Sequence, residues 1–289
     1  MNCIKEFAIA LSGLFILVPC SGQTSMDLSD MGDKNFMVFR DDYFYGEKII
    51  DKSVLEVHYA VERETDSVSK KRIKYDAVLQ IGQKVSKYTS LAHFQQDENL
   101  RNTGKTGITD KTDNFCFYDT FYHNYPAGRL SIATRLCVED YLCEQPIPKI
   151  RWRMMPVKKT IGNHICQEAK CRFHGRDYTV WFTSEIPSDS GPWLLSGLPG
   201  LIVKASCKDD KYVFTLKDIH KVQADITIAN YQYAKVTPAQ LLKMQYQMIS
   251  DYFGFLSTHN GTSGIEISGA HIESSNKTFL PIDLDLGSE

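Results

Sequence analysis

His164 and Cys166 stand two residues apart in the run His164-Ile165-Cys166. On a strand, residues at that spacing share a face, so an imidazole and a thiol come within reach of one metal ion. Such a pair suits copper or zinc. A cysteine held in a disulfide is lost as a ligand, however, and a strand histidine beside a structural cysteine is the plainer reading. Glu168 and Glu185 offer two carboxylates for acid-base work, but no spacing fixes their separation, and solvated or salt-bridged side chains are again the plainer reading. Trp181, Glu185, Trp193, Leu194 and Leu198 form a candidate ligand-binding set, in which the two tryptophans flanking the loop offer an aromatic platform; core packing against the loop is a reading of at least equal standing. No Gly-x-Ser-x-Gly elbow, His-Glu-x-x-His pair or calcium-loop spacing occurs. Gly104-Lys105-Thr106 resembles the end of a phosphate loop, but position 99, where that loop needs glycine, is asparagine. No cofactor is therefore expected and no catalytic residue is assigned, since a triad dispersed through the sequence would leave no local signature.

What the cysteines do depends on the compartment. After Lys5, the apolar run Phe7 to Val18 has the length of a secretory h-region and falls short of the roughly 20 apolar residues of a membrane span. Residues 1–22 read as a signal peptide, with cleavage after Ser21-Gly22. The alternative is lipoprotein processing at Cys20, where Leu17-Val18-Pro19-Cys20 imitates a lipobox with an ill-suited proline. The protein is accordingly expected to be exported, periplasmic or in the cell envelope, with an outer-membrane anchor if Cys20 is processed and no transmembrane segment in the mature chain. Export leaves Cys116, Cys137, Cys143, Cys166, Cys171 and Cys207, an even set that favours disulfides in an oxidising compartment without fixing the pairing. No Cys-x-x-Cys occurs, so neither a thioredoxin-type centre nor a paired-cysteine zinc site is indicated.

The composition is that of a globular chain: of 289 residues, 43% are hydrophobic and 24% charged, and the formal net charge is −2. A disordered chain, a collagen repeat and a coiled-coil rod are excluded, and so is broad affinity for nucleic acid, which needs a concentrated basic face.

Residues 23–53 read as an irregular, aromatic lead-in. From Val54 the pattern is that of strands: Leu55, Val57, Tyr59 and Val61 alternate with polar neighbours, as do Tyr75, Ala77, Leu79 and Ile81. Residues 93–114 are polar, with at most a short helix before a loop. In His164 to Thr183, two alternating runs flank His174-Gly175, which predicts a tight hairpin with Cys171 opposite Tyr178, Ala169 opposite Val180 and Gln167 opposite Phe182. Cys166 and Cys171, an odd offset apart, then point to opposite faces. The Pro/Gly-rich stretch 185–202 reads as a long structured loop. Within it Leu198-Pro199-Gly200-Leu201 predicts a type II turn, and Gly197, Pro199 and Gly200 are read as structural. Thr237-Pro238 predicts a helix start, with a stripe of Leu241, Leu242, Met248, Ile249, Tyr252 and Phe253.

Gly197-Leu198-Pro199-Gly200-Leu201-Ile202 resembles the naming motif of the GLPGLI family of exported bacterial proteins. Cys166-Gln167-Glu168-Ala169, Trp181-Phe182-Thr183, Glu185-Ile186-Pro187 and Leu280-Pro281-Ile282-Asp283-Leu284 extend the likeness over roughly Val54 to Leu284. The resemblance implies an exported, mainly β protein of unassigned biochemical role, with an outer-membrane receptor or another envelope protein as the expected partner.

Together these readings predict a mainly β fold: an antiparallel curved sheet, half-barrel or sandwich spanning residues 54–284, with one helix near 238–256, the loop 185–202 and a tail at 285–289. The favoured function is a non-catalytic binding or accessory protein of the envelope, possessing a pocket or aromatic patch beside the loop. The rival is an envelope enzyme or a copper/zinc protein using His164 and Cys166.

Overall fold

In the computed structural model the described residues are 6–11, 14–19, 24–27, 37–40, 46–64, 70, 72–103, 119–136, 139–250, 255, 258 and 265–268. Cys20, Cys116, Cys137 and the stretch Leu280–Leu284 lie outside them. Near the N-terminus β1 (Glu6–Leu11), β2 (Leu14–Pro19) and β4 (Met37–Arg40) make a small sheet, while β3 (Thr24–Asp27) pairs in parallel with β17 (Ile265–Ser268).

The remaining strands form one sheet. They are β5 (Glu47–Glu64), β6 (Arg72–Gly82), β7 (Ser86–Ser90), β8 (Thr120–His123), β9 (Arg129–Leu136), β10 (Glu139–Pro146), β11 (Arg153–Ile161), β12 (His164–Phe173), β13 (Arg176–Thr183), β14 (Leu201–Cys207), β15 (Tyr212–Ala229) and β16 (Ala234–Val236). Their order is β11-β12-β13-β14-β15-β5-β6-β7-β8-β9-β10-β16, an open twelve-stranded sheet. Every pairing is antiparallel except that of β10 with β16. The mainly β, curved-sheet architecture expected from the sequence is the one observed. Residues 47–53, which their composition placed in the irregular lead-in, are the first part of β5 and pair with β15.

The sheet curls because its long central strands are bulged. β15 shifts register against β5 at three places, between Leu216 and Asp218, Lys221 and Ala224, and Ile226 and Thr227. An extra residue on one strand bends it and increases its twist. As a result, strands from both ends of the order meet in one core: Ala169, Tyr178 and Val180 join Ile132, Tyr141 and Cys143 in the same buried cluster. The inward side chains are those with the predicted phase, with Leu55 opposite Ile81, Val57 opposite Leu79, Tyr59 opposite Ala77 and Val61 opposite Tyr75.

The hairpin at His174-Gly175 has the predicted register. Both turn residues have positive φ, 46° and 71°, as a two-residue turn matched to strand twist requires. The edge strand β11 is charged, contains Pro156 and is bulged between Met154 and Lys158, features that hinder pairing with another chain.

Helix α2 (Pro238–Ser250) begins at the predicted cap: the Gln240 amide donates to Thr237 Oγ1 at 3.3 Å, and the Gln240 side chain accepts from the Thr237 amide at 2.8 Å. This reciprocal pair is a capping box. Leu241 and Met248 enter the core and Leu242 is half-buried, whereas Tyr252 and Phe253 lie outside the described residues.

A second helix, α1 (Leu91–Thr103), was not foreseen at this length. It packs on the outer face of β6 and β7 over a buried polar cluster. Lys87 is 3% exposed there, with its ammonium 3.8 Å from Asp97 and near the rings of Phe94 and Tyr122. Burial pushes the Lys87 pKa down, and Asp97 offsets only part of that shift. Because the unfolded chain holds this proton to higher pH than the folded one, stability should rise with pH between the depressed folded value and the ordinary lysine range. Urea unfolding of wild type and Lys87→Met should show the wild type gaining on the variant from pH 8 to 10.5. A constant difference would refute a costly buried ammonium.

Candidate functional site

The stretch 185–202 is a long loop, as expected, but it serves mainly as the filling of the curved sheet. Trp193, Leu194, Leu195 and Leu198 are all buried in the principal core. The loop is pinned at several points. Gly197 N donates to the Asp189 carbonyl at 2.7 Å, Leu195 N to Pro192 at 3.1 Å and Leu201 N to Ile186 at 3.1 Å. Trp152 Nε1 adds a bond to the Ser196 carbonyl at 2.9 Å.

This rearranges the candidate binding residues. Trp193 packs on Phe173 and His174, each with ring centroids 5.7 Å away, and on Tyr178 at 6.3 Å, so it is a core side chain. Trp181 is half-buried on the opposite sheet face, where the Lys159 ammonium lies 3.8 Å over its ring. The two tryptophans therefore cannot form one platform. Leu194 and Leu198 are core residues, and Glu185 lies on the surface, bonded to His164.

The turn at Pro199-Gly200 also differs from expectation. Gly200 has φ of 159°, far from the value near +80° of a type II turn. Glycine is needed for a different reason: a Cβ here would collide with the Thr183 carbonyl. Gly197, with φ 87°, and Trp193, with φ 54°, are left-handed residues of the loop, and Pro199 is exposed.

His164 and Cys166 do share a strand, but His164 Nδ1 lies 3.0 Å from Glu185 Oε2 and the Cys166 thiol is fully buried, its Sγ 3.5 Å from the His164 carbonyl. Burial raises the Cys166 pKa, against a backbone hydrogen bond from Ile161, so the thiolate a metal requires is disfavoured. Glu168 is engaged by Lys170 at 3.0 Å and Glu185 by His164, so the two carboxylates do not pair.

Cys143, Cys166, Cys171 and Cys207 are buried free thiols, and no disulfide joins any two of them among the described residues, against the expectation of a disulfide framework. Cys171 and Cys207 flank Tyr178 from either side, which puts them two strand spacings, about 9.5 Å, apart. A disulfide requires Cα atoms within about 7 Å. Burial pushes Cys143 up to about 11 and Cys171 up to about 12, so these thiols are protonated and unreactive at neutral pH.

The loop does border a cleft, of about 740 Å³, between Pro187–Ser190 with Leu198-Pro199 on one side and the β6–β7 turn with His123 and Asn124 on the other. Both walls are fixed. Asp51 holds the turn by accepting from the amides of Lys84 at 2.7 Å and Val85 at 2.8 Å. Burial pushes the Asp51 carboxyl up, but bonds from Lys84, Val85 and Lys52 outweigh it and leave the pKa below the usual range. Asn124 Nδ2 donates to the Lys84 carbonyl at 2.8 Å and its Oδ1 accepts from Gly128 at 2.7 Å. In this cleft His123 is partly buried, which lowers its pKa, and the Asp189 carboxylate counters only some of that shift. The neutral ring lies 3.5 Å from Ser196 Oγ, the outer limit of a hydrogen bond. Lys84, His123, Asn124 and Asp189 were not singled out from the sequence. Their only local signal is the turn-rich run Asn124-Tyr125-Pro126-Ala127-Gly128.

No family model matches the sequence, and no curated protein does. Among solved structures, PNGF-II in space groups C2 and P21 is similar over 68% of this chain, with a TM-score of 0.48 in each case and 14% and 13% identity. The chain spans about a third of the length of those structures, 33% and 34%. No helix among the described residues is long and apolar enough to cross a membrane.

Proposed function

We propose that this is an exported binding or accessory protein of the cell envelope, related to the GLPGLI proteins, which holds a small polar ligand in the cleft beside its Gly197–Ile202 loop. An outer-membrane receptor or another envelope protein is the proposed partner. The observation that carries this reading is the cleft itself: a preorganised concavity with amide, hydroxyl and charged groups on walls already fixed by hydrogen bonds. Such a site binds without the cost of ordering its loops.

The test is capture of the intact protein from its own envelope, with mass spectrometry of the small molecules and proteins retained. Gln83→Trp narrows the exposed rim of the cleft and should cut small-molecule retention at least about tenfold, equivalent to about 1.4 kcal/mol. Retention equal to wild type would move the ligand out of this cleft, and recovery of nothing specific would sink the reading.

One observation favours an enzymatic alternative, the contact between Ser196 Oγ and His123 Nε2. A neutral imidazole beside a hydroxyl can act as its general base. Labelling of Ser196 by a fluorophosphonate, lost in His123→Ala, would replace the binding proposal with a hydrolase.

A further inference from the structure

On the outer face of the two longest strands, His58 and Glu56 of β5 lie directly opposite Asp218 and His220 of β15. Residues two apart on a strand share a face, so the four side chains form a square of two imidazoles and two carboxylates. The bulge between Leu216 and Asp218 creates this square. It inserts Lys217, whose ammonium is engaged by Asp76 at 2.7 Å, and so brings Asp218 rather than Lys217 opposite His58.

The nitrogens and oxygens converge. His58 Nδ1 lies 3.0 Å and His220 Nε2 2.8 Å from the same oxygen of Asp218, and one ligand atom from each of these residues falls within 4.8 Å of the others. The two rings meet edge to face with centroids 5.3 Å apart. Glu56 stands apart from this convergence: its Oε1 is 3.2 Å from His58 Nε2, the nitrogen pointing away from Asp218. A carboxylate that receives the far N–H of an imidazole leaves the near nitrogen with its lone pair free, which is how metal-bound histidines are commonly oriented.

We propose that His58 Nδ1, His220 Nε2 and the Asp218 carboxylate bind a first-row divalent transition metal such as zinc or copper(II), with Glu56 as the positioning residue for His58. Two imidazoles and one carboxylate select such an ion over magnesium or calcium, which take all-oxygen sites. Asp218 and His220 are 44% and 56% exposed, so water can complete the coordination shell from the solvent side. This site is on the face opposite the core and does not depend on the cleft or its ligand.

The alternative for the same atoms is a network of hydrogen bonds between histidine and carboxylate with no metal. Zinc titration of the chelator-treated full-length protein by calorimetry separates the two. One zinc should bind, the melting temperature should rise with it, and millimolar magnesium should bind no more than weakly. His58→Ala and His220→Ala should each weaken zinc binding at least about tenfold, and Glu56→Gln about tenfold through loss of orientation. Circular dichroism of each variant verifies that it is folded, and Lys217→Gln should leave the affinity unchanged. The absence of zinc binding, or zinc binding unaltered in both histidine variants, would overturn the site. Unaltered binding in Glu56→Gln alone would overturn the positioning role.

Discussion

Replacing Gly200 with alanine should destabilise the protein by about 3 kcal/mol, the upper part of the range for forcing atoms into a packed interior. A Cβ at this position would meet the carbonyl oxygen and carbon of Thr183 inside contact distance, with Ser184 Cα at 2.9 Å. All three are backbone atoms, so no side chain can turn aside to make room. Thr183 is itself paired with Leu201, and relief would have to come from separating β13 and β14 next to the core. Pro199→Ala is the matched control. Pro199 is exposed, and its loss should act mainly through the unfolded chain, at about 1 kcal/mol or less. Urea unfolding followed by circular dichroism measures both. A Gly200→Ala protein within about 0.5 kcal/mol of wild type would show that the close approach to Thr183 is not needed.

The second large effect is expected at Trp193. Truncation to alanine should cost about 3–5 kcal/mol, as removal of a buried aromatic side chain generally does. Trp193 is 6% exposed and packs among Phe173, His174 and Tyr178, so the space it leaves is bordered by rings fixed on a sheet and cannot readily collapse. Trp181→Ala should cost far less, about 1 kcal/mol, since that half-buried ring loses chiefly its contact with Lys159. The contrast separates a core tryptophan from a ligand platform. Were Trp193→Ala to keep its stability and lose only ligand retention, the core role would be rejected in favour of a ligand contact.

These two positions show where the sequence is informative and where it misleads. Pro199-Gly200 carries the residue types of a type II turn, in which glycine answers a local φ requirement. The demand comes instead from Thr183, a neighbour in space on the preceding strand, and local turn rules contain no such neighbour. Trp181 and Trp193 were grouped because they flank one loop. Trp181 falls between the inward Val180 and Phe182 of β13 and so faces outward, whereas Trp193 is packed into the core on the other face. The six cysteines prompted a disulfide framework through their count alone. Whether two thiols can meet depends on strand order, and β13 keeps Cys171 and Cys207 apart.

By itself the sequence determined what depends on near neighbours. The period-two alternation of β5, β6, β12 and β13 set which side chains share a face. His174-Gly175 set the hairpin register and Thr237-Pro238 the start of α2. Only the tertiary structure decided which face is concave, because alternation has the same period whichever side the sheet curls toward. That curl is produced by bulges between β15 and β5, and a bulge is defined by the partner strand as much as by its own residues. The filling of the concave side by Trp193, Leu195 and Leu198, the cleft beside His123, and the meeting of His58 with Asp218 and His220 all follow from pairing between strands distant in sequence, which a local pattern cannot encode.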